Sequence, residues 1–273
     1  MRALVTGASA GIGSAFADRL AKDGYDLVLV ARRKDRLADL ADRLEKMHGI
    51  SANVVPTDLG SPAELRRLAD DIAAGPALDL VVNNAGFGAY MPFANLPMER
   101  AEELVRVQVI APMLLARAAL PAMVAAGRGA IINITSLLAF SGFAASPMLP
   151  ARVTYSATKS FLVTFSQLLA EELKDTGVRV MVVCPGFVKT EFHPIQGMDI
   201  SNLPFSATPS VIVQATMAGL TAGELFCFPT MADTSALDHL KAAELELLGG
   251  GRSGDLAPRY ATGSSTAEQS ASE

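Results

Sequence analysis

Short apolar runs rich in valine, leucine and isoleucine alternate along this chain with longer segments of helical periodicity. Such alternation is typical of a parallel sheet covered by helices on both faces, because strands buried on both sides are apolar throughout. We predict strands at residues 3–6, 26–30, 52–56, 78–83, 129–135, 178–184 and 224–228. Parallel neighbours need right-handed crossovers, so the expected fold class is α/β, with one doubly wound parallel β-sheet. Ligands of such sheets bind beyond the carboxyl ends of the strands.

We found no internal repeat or mid-chain linker in this pattern, so residues 1–248 are expected to form a single domain. Residues 191–208 are punctuated by proline and serine, which indicates a long loop. The segment 249–273 consists mostly of small, polar and charged residues. It has too few large apolar side chains to offset the entropy of ordering, so we predict a disordered tail there.

The overall charge and the cysteine and histidine content argue against several functional classes. A formal net charge of −5 gives no electrostatic footprint for nucleic acid. The two cysteines and three histidines lack ligand spacing, so we expect neither a metal site nor a disulfide framework. The apolar window 109–126 is interrupted by prolines and an arginine, and the first residues lack the features of a signal peptide. We therefore expect a cytoplasmic protein with small-molecule partners and no membrane association.

A glycine-rich turn, T-G-A-S-A-G-I-G, joins the first predicted strand to the first helix. Gly7 permits a tight turn, Gly11 allows close approach of a pyrophosphate, and Gly13 allows close packing of helix on strand. The helix N-terminus beyond it offers free N–H groups to an anion. Taken alone, three glycines also fit a plain strand–helix turn, so the motif depends on its context.

Two arginines, Arg32 and Arg33, follow the second strand, where an NAD-specific fold places an acidic residue. Guanidinium groups suit a 2′-phosphate, so the pair favours NADP(H) over NAD(H), with Arg32 as the better candidate. The alternative is that the charges from Arg33 to Arg36 are the solvated start of a helix.

Polar residues also follow the third and fourth strands. Asp58 could accept a hydrogen bond from an adenine amino group, and the run N-N-A-G occupies residues 83–86. Either feature alone is better explained as turn chemistry, since Asp, Asn and Gly are common in turns of any function.

Tyr155 and Lys159 are four residues apart on a predicted long helix at residues 153–174 and therefore share one face. An ammonium group close to the phenol would lower its pKa from about 10 towards neutrality, which would make it a usable acid or base. Pairs with this spacing are common on helix surfaces, so spacing alone is weak evidence.

Two further motifs end strands at the same predicted edge: I-I-N-I-T-S, which closes with Ser136, and C-P-G-F-V-K-T, which closes with Thr190. In this order and spacing, the motifs closely resemble those of the short-chain dehydrogenase/reductase family over roughly the first 230 residues. The resemblance implies a Rossmann-like domain and an NADP(H)-dependent interconversion of a carbonyl and an alcohol. It implies that Tyr155 is the acid/base and that Lys159 binds the nicotinamide ribose. Ser136 would orient the substrate oxygen, and Thr190 would hold the carboxamide.

The complete set of predicted cofactor-binding residues combines the glycine turn with the strand ends. They are Gly7, Ser9, Gly11, Ile12, Gly13, Arg32, Arg33, Asp58, Leu59, Asn84, Ala85, Gly86, Tyr155, Lys159 and Thr190.

The chain departs from the family pattern at Gln108, where many members carry a catalytic asparagine. We assign Gln108 to the catalytic set on one hypothesis. Pro112, four residues on, cannot donate to the Gln108 carbonyl, which would stay free to hold a water near Lys159. The alternative is that Gln108 faces a neighbouring helix.

An apolar substrate cleft is expected from a short insertion between Ser136 and Tyr155 and from the loop after Thr190. The residues concerned are Phe140, Phe143, Pro147, Met148, Leu149 and Pro150 on one flank, and Phe187, Phe192, Ile195, Met198 and Phe205 on the other. They favour a hydrophobic ketone, aldehyde or secondary alcohol, although they could equally close the core or a subunit contact.

The remaining expectations concern assembly and rival functions. A homodimer or homotetramer is implied by the family resemblance. One rival reading is a non-catalytic NADP(H)-binding sensor or scaffold, motivated by Gln108. Another is an epimerase or dehydratase of the extended branch, which the glycine spacing and the lack of a sizeable C-terminal domain disfavour.

Overall fold

The computed structural model describes residues 1–144, 149–197, 203–251 and 254–260. The strands are β1 (Arg2–Thr6), β2 (Asp26–Ala31), β3 (Ala52–Pro56), β4 (Leu80–Asn83), β5 (Gly129–Ile134), β6 (Val178–Val183) and β7 (Phe226–Cys227). The α-helices are α1 (Gly11–Lys22), α2 (Lys34–His48), α3 (Pro62–Ala74), α4 (Met98–Val105), α5 (Ala111–Ala125), α6 (Val153–Leu173), α7 (Pro209–Ala222) and α8 (Ser235–Gly250). A π-helical turn, Arg106–Ile110, joins α4 to α5.

All seven strands form one parallel sheet in the order β3-β2-β1-β4-β5-β6-β7, which confirms the predicted doubly wound architecture. The strand order reverses at β1, whose Val5 is paired with Leu29 of β2 on one side and Val82 of β4 on the other. Open α/β sheets bind their ligands at this reversal point, beyond the carboxyl ends of the strands.

Both faces of the sheet are buried. Alternate residues of a strand point to opposite faces, so Val5 belongs to one apolar core and its neighbour Leu4 to the other. The first core is closed by α1, α2 and α7, and the second by α3, α5 and α6. Each fully buried leucine in these layers contributes about 1.5–3 kcal/mol, which fixes the helices on the sheet.

The continuous helical segment Met98–Ala125 is long and apolar enough to cross a membrane, with a mean hydropathy of 1.7 over its most apolar window. Its buried side chains, however, include Leu104, which is fully enclosed, and Leu115 and Met123, which pack in the second core. Packing against the sheet therefore accounts for the buried part of this segment, which is 44% of the window.

The chain separates into two compact units, residues 1–230 with the whole sheet, and a second unit that begins at Met231 and contains α8. Gly249 and Gly250, which we expected to begin the tail, form the last residues of α8. A 3-10 turn follows at Pro258–Tyr260, whereas residues 252–253 and 261–273 lie outside the described part of the chain. The boundary at residue 248 and the disorder of the tail remain predictions.

Candidate active site

The glycine turn has the backbone geometry that its sequence predicts. Gly7 and Gly11 adopt positive φ angles of 67° and 58°, a region that side chains disfavour. A Cβ atom on Gly13 would lie 2.3 Å from the Gly7 carbonyl oxygen, so only glycine fits there. Helix α1 begins at Gly11, and no described side chain caps its N-terminus. The first N–H groups of α1 therefore remain available to an anion, as a phosphate cradle requires.

The loop after β4 is tied to the end of β1 by three hydrogen bonds. The Thr6 hydroxyl accepts from the backbone N–H groups of Asn84 (2.9 Å) and Ala85 (3.0 Å). The Asn84 side chain donates to the Thr6 carbonyl at 2.9 Å. These bonds bring Asn84 and Ala85 beside the glycine turn, where we predicted them, but they also give Asn84 a structural role.

A buried chain of polar side chains, which the sequence analysis missed, links the sheet to helix α6. Asn83 donates to Asn133 at 2.9 Å, Asn133 donates to the Ser166 hydroxyl at 2.8 Å, and Ser166 donates to the Leu162 carbonyl. Because unpaired polar groups are costly in a core, this chain fixes the position of α6 along β4 and β5.

Of the two arginines after β2, Arg33 is the one that touches the glycine turn. Its Nε donates to the Ser9 hydroxyl at 3.1 Å, and its guanidinium also binds Glu191. Arg32 is more exposed and lies 3.4 Å from a Glu103 carboxylate oxygen. Arg33 therefore lies nearer to the glycine turn than expected, and the preference for Arg32 as the 2′-phosphate ligand stays a prediction.

Asp58 and Leu59 lie just beyond β3 and take part in local structure. The Asp58 carboxylate accepts from the Gly60 N–H at 2.9 Å, and the Asp58 N–H donates to Glu64 at 2.8 Å. Leu59 is buried in the second core. The hydrogen bonds of Asp58 stabilise the local turn, and Leu59 packs in the core. The cofactor roles of both residues remain predictions.

Thr190 lies next to the glycine turn although it follows β6. A Cβ atom on Gly11 would be 3.0 Å from the Thr190 Cγ2 atom. The Thr190 hydroxyl accepts from the Phe192 N–H at 3.2 Å, which starts the turn that follows. The fold thus brings Thr190, Gly11 and Ile12 to one edge of the sheet.

Ser136, Tyr155 and Lys159 converge in a buried cluster at the end of β5, and their exposed fractions are 9%, 5% and 4%. Lys159 Nζ donates to the Ile134 carbonyl at 3.0 Å and lies 5.7 Å from the centre of the Tyr155 ring. Ser136 caps the following 3-10 turn by accepting from the Leu138 N–H. Helix α6 carries both Tyr155 and Lys159 on its buried face, as their spacing predicts.

Burial dominates the electrostatics of this cluster. Burial raises the pKa of Tyr155 to about 12, whereas hydrogen bonds from Ser136 and Tyr90 oppose that increase. Burial also lowers the pKa of Lys159 to about 7. Lys159 is not among the groups that shift the pKa of Tyr155 here. The lowering of the Tyr155 pKa by Lys159 therefore stays a prediction.

Two aromatic side chains that the catalytic assignment left out cover Tyr155. The ring of Tyr90 packs edge to face against Tyr155, and the ring of Phe192 lies 5.9 Å from it, centre to centre. Burial and the neighbouring Tyr155 raise the pKa of Tyr90 well above its usual range, so Tyr90 keeps its proton and donates to Tyr155. The only sequence feature that could have indicated Tyr90 is its position six residues after Asn84, in the loop that follows β4 at the same sheet edge.

Gln108 is fully buried in the π-helical turn and binds a loop rather than a neighbouring helix. Its Nε2 donates to the Phe87 carbonyl at 2.8 Å, and Gly86 packs against the same amide. Its Oε1 has no hydrogen-bond partner among the described residues. The π-turn, in which the Ala111 N–H reaches the Arg106 carbonyl, was not predicted. The proposed relay through the Gln108 carbonyl and Pro112 remains a prediction.

The aromatic residues expected around a substrate cleft divide into three groups. Phe192 covers Tyr155, whereas Phe187 packs against Phe205 at 5.8 Å and against His193 at 5.3 Å. Phe140 contacts Phe228. Other members of the expected set, Phe143, Ile195 and Leu149–Pro150, lie at or near the surface. Pro147, Met148 and Met198 lie outside the described residues.

Arg152 holds the described end of the insertion between Ser136 and Tyr155. Its guanidinium donates to the Ser141 hydroxyl at 2.8 Å and to the Ala144 carbonyl at 2.7 Å. It also donates to the Pro150 carbonyl. The insertion is therefore anchored to the start of α6, one turn before Tyr155.

A metal centre finds no support in the part of the chain that the structure describes, where no group of three or more potential ligands comes together.

The chain matches one protein family model, and it is similar to curated relatives and to solved structures. Residues 1–197 match the family model described as short chain dehydrogenase. The very-long-chain 3-oxoacyl-CoA reductase of Coprinopsis cinerea is 34% identical over 229 residues, which make up 82% of this chain and 65% of that relative. A short-chain dehydrogenase from Sphingobium yanoikuyae in complex with NADPH superposes with a TM-score of 0.88 and 34% identity, covering 95% of this chain and 99% of that one. The bulky-bulky ketone specific alcohol dehydrogenase of Comamonas testosteroni gives a TM-score of 0.85 and 30% identity, covering 95% of this chain and 98% of that one.

Proposed function

The chain belongs to the short-chain dehydrogenase family of oxidoreductases, and we propose that it interconverts a carbonyl and an alcohol with NADP(H) as the cofactor. One observation carries the proposal. Ser136 follows β5, whereas Tyr155 and Lys159 lie on helix α6, and the three side chains meet in one buried cluster at the carboxyl edge of the sheet. The phosphate cradle of Gly7, Gly11 and Gly13 lies at the same edge.

The residues present fit a dinucleotide with a 2′-phosphate. The glycine turn leaves the space that a side chain would fill, and the α1 N-terminus offers unpaired donors. Arg33 lies against Ser9 of that turn and supplies a guanidinium for a phosphate. The Sphingobium yanoikuyae relative was solved with NADPH, which supports the same choice of cofactor here. A nicotinamide cofactor held there would supply or accept the hydride.

The chain's own groups perform the proton chemistry in this proposal. In the reducing direction, the Tyr155 hydroxyl gives its proton to the oxygen of the former carbonyl. The Ser136 hydroxyl orients that oxygen and stabilises its developing charge. Lys159, next to the Tyr155 ring, would bind the nicotinamide ribose of the cofactor. Thr190 would bind the nicotinamide carboxamide. The burial of all three central groups excludes water from the reacting oxygen.

We propose an apolar carbonyl or alcohol as the substrate. Tyr155 is covered by Phe192 and Tyr90, so the groups that would face a substrate are mainly aromatic. The names of two relatives point the same way, since one reduces 3-oxoacyl-CoA and the other is specific for bulky ketones. Both names belong to those proteins, and they support only the class of substrate here.

The assembly and compartment that we propose are a homodimer or homotetramer in the cytoplasm. Helix α6 and the end of α4 leave Phe161, Leu168 and Val105 partly exposed, a pattern that suits a contact between copies. Sedimentation at micromolar concentration tests the assembly, and a strictly monomeric species would reject it.

The experiment that tests the activity measures oxidation of NADPH, with NADH as the comparison, across apolar ketones, aldehydes and quinones. We expect turnover with NADPH and much slower turnover with NADH. The reverse direction is assayed with NADP⁺ and secondary alcohols. Tight NADPH binding without turnover in either direction would instead indicate a sensor or scaffold. Retained cofactor without net redox change would indicate an epimerase.

A further inference from the structure

Glu191 forms ion pairs with two arginines at the proposed cofactor site. One carboxylate oxygen lies 2.7 Å from an Arg33 nitrogen, and the other lies 2.7 Å from an Arg36 nitrogen. One carboxylate thus bridges two guanidinium groups from the start of α2. The pairing was not foreseen from the sequence, because Glu191 and Arg33 are 158 residues apart.

The bridge lies where the adenosine end of the proposed cofactor would reach the protein. Arg33 also binds Ser9 in the glycine turn, and Glu191 directly follows Thr190, which borders Gly11. Ser9, Gly11, Arg36, Thr190 and Glu191 line one groove of about 520 Å³. The carboxylate therefore lies in the same groove as the glycine turn and Arg36.

Carboxylate and phosphate are interchangeable ligands for guanidinium groups, since both offer paired oxygens to its N–H donors. Hydrogen bonds from Arg33 and then Arg36 lower the pKa of Glu191, so it is an anion at neutral pH. An anion already paired with an arginine must leave before a second anion can take its place, because two like charges repel in one site.

We infer that Glu191 competes with the 2′-phosphate of NADP(H) for Arg33 and Arg36, and so limits the affinity and the selectivity of the site for phosphorylated cofactor. This inference rests on the proposed function. Binding of NADP(H) breaks both ion pairs, whereas NAD(H), which lacks the 2′-phosphate, leaves them in place. The carboxylate thus weakens NADPH binding and leaves NADH binding unchanged. Glu191 is then a specificity-determining residue that sets how strongly the enzyme prefers one cofactor.

Glu191→Gln tests the inference, because glutamine keeps the size of the side chain and removes its charge. The matched control is Asp23→Asn, which removes the carboxylate of another partly exposed arginine pair, Asp23 with Arg19 at 2.7 Å, at the end of α1 remote from the glycine turn. The probes are adenosine 2′,5′-bisphosphate and AMP, which carry no nicotinamide. Dissociation constants are measured by calorimetry for the full-length wild type and both variants, together with those of NADPH and NADH.

We expect Glu191→Gln to bind adenosine 2′,5′-bisphosphate and NADPH about 2- to 30-fold more tightly, the range that two exposed ion pairs of ordinary strength would produce. AMP and NADH binding should not change, and Asp23→Asn should match the wild type. The gain should shrink at high salt. Equal or weaker binding of the bisphosphate by Glu191→Gln would overturn the inference, while a wild-type preference for NADPH would leave the proposed cofactor intact. Equal binding of NADH and NADPH by the wild type and also by Glu191→Gln would reject both.

Discussion

The ring of Tyr90 packs edge to face against the ring of Tyr155, with 5.4 Å between the two ring centres and 73° between their planes. This contact presents a second phenol to the group that we propose as the acid/base. The hydrogen bond from Tyr90 lowers the pKa of Tyr155, against the larger effect of burial. Tyr90 therefore stabilises the phenolate that forms when Tyr155 gives up its proton.

Tyr90→Phe should slow the reaction without disturbing the packing of the ring. Loss of the hydrogen bond raises the pKa of Tyr155, which makes it a weaker acid. We expect kcat for ketone reduction at neutral pH to fall about 3- to 30-fold, the effect of losing roughly 0.6–2 kcal/mol of hydrogen-bond stabilisation. The pH profile of alcohol oxidation should shift to higher pH. Both are measured by steady-state kinetics.

The control for that variant is Tyr25→Phe, which removes a half-buried phenol at the start of β2, at the opposite end of the strand from the site. It should leave the pH profile unchanged. A Tyr90→Phe enzyme with the wild-type pH profile would contradict the role that we assign to Tyr90.

Lys159→Met should stabilise the fold at neutral pH while removing activity. Because the folded pKa of Lys159 is about 7 and the unfolded value is 10.5, the unfolded state binds more protons between these values. The destabilising effect of Lys159 is therefore complete below about pH 7 and disappears as the pH rises towards 10.5. We expect Lys159→Met to raise the free energy of unfolding by ~1–3 kcal/mol at pH 7, after loss of the bond to Ile134 is allowed for.

Urea unfolding at pH 7 and at pH 9.5 measures this difference. The advantage of Lys159→Met should shrink at the higher pH. Tyr155, whose raised pKa costs stability only above about pH 10, does not interfere in that window. Lys174→Met, at the exposed residue that follows the same helix, is the control and should leave stability nearly unchanged at both pH values. A Lys159→Met protein that is less stable than the wild type at pH 7 would contradict the claim that burial of the Lys159 ammonium destabilises the fold.

Gln108→Ala should destabilise the protein as well as impair it. The change leaves a cavity in a fully buried position and removes the donor to the Phe87 carbonyl. We expect the free energy of unfolding to fall by ~2–4 kcal/mol.

Gln108→Asn and Pro112→Ala separate this structural role from the proposed relay. Unchanged turnover in Gln108→Asn with sharply lower turnover in Pro112→Ala supports the relay, and the reverse pattern rejects it.

Gly13→Ala should abolish the cofactor site, because its Cβ would lie 2.3 Å from the Gly7 carbonyl oxygen and 2.6 Å from the Asn84 amide. We expect a loss of ~2–4 kcal/mol in stability and no measurable NADPH binding. Gly142→Ala is the matched control, since its Cβ would meet no described atom within 4 Å and its φ is not positive. Normal NADPH affinity in Gly13→Ala would show that the turn does not hold the pyrophosphate.

The sheet could be predicted from the sequence because every central strand is buried on both faces and therefore apolar throughout. The predicted limits of β3 and of helix α6 differ from the observed ones by at most one residue. Strand β7 is shorter than expected, at Phe226–Cys227, because it is an edge strand that pairs only with Val182 and Val183. The π-turn at Arg106–Ile110 left no trace in the periodicity of the flanking helices.

The candidate site could be predicted only in part. Topology brings the carboxyl ends of β1, β4, β5 and β6 together, so Gly7, Asn84, Ser136 and Thr190 were expected at one edge. Contacts between side chains on separate loops are not encoded in local patterns. The edge-to-face contact of Tyr90 with Tyr155 and the bridge from Glu191 to Arg33 therefore emerge only from the structure.

The central claim is that the Tyr155 hydroxyl transfers the proton, and Tyr155→Phe tests it most directly. The measurement is kcat/KM for NADPH-dependent reduction of an apolar ketone, together with the NADPH dissociation constant. We predict a fall of at least ~100-fold in kcat/KM with NADPH binding nearly unchanged, since the ring remains and only the proton donor is lost. Turnover within a few-fold of the wild type would contradict the account.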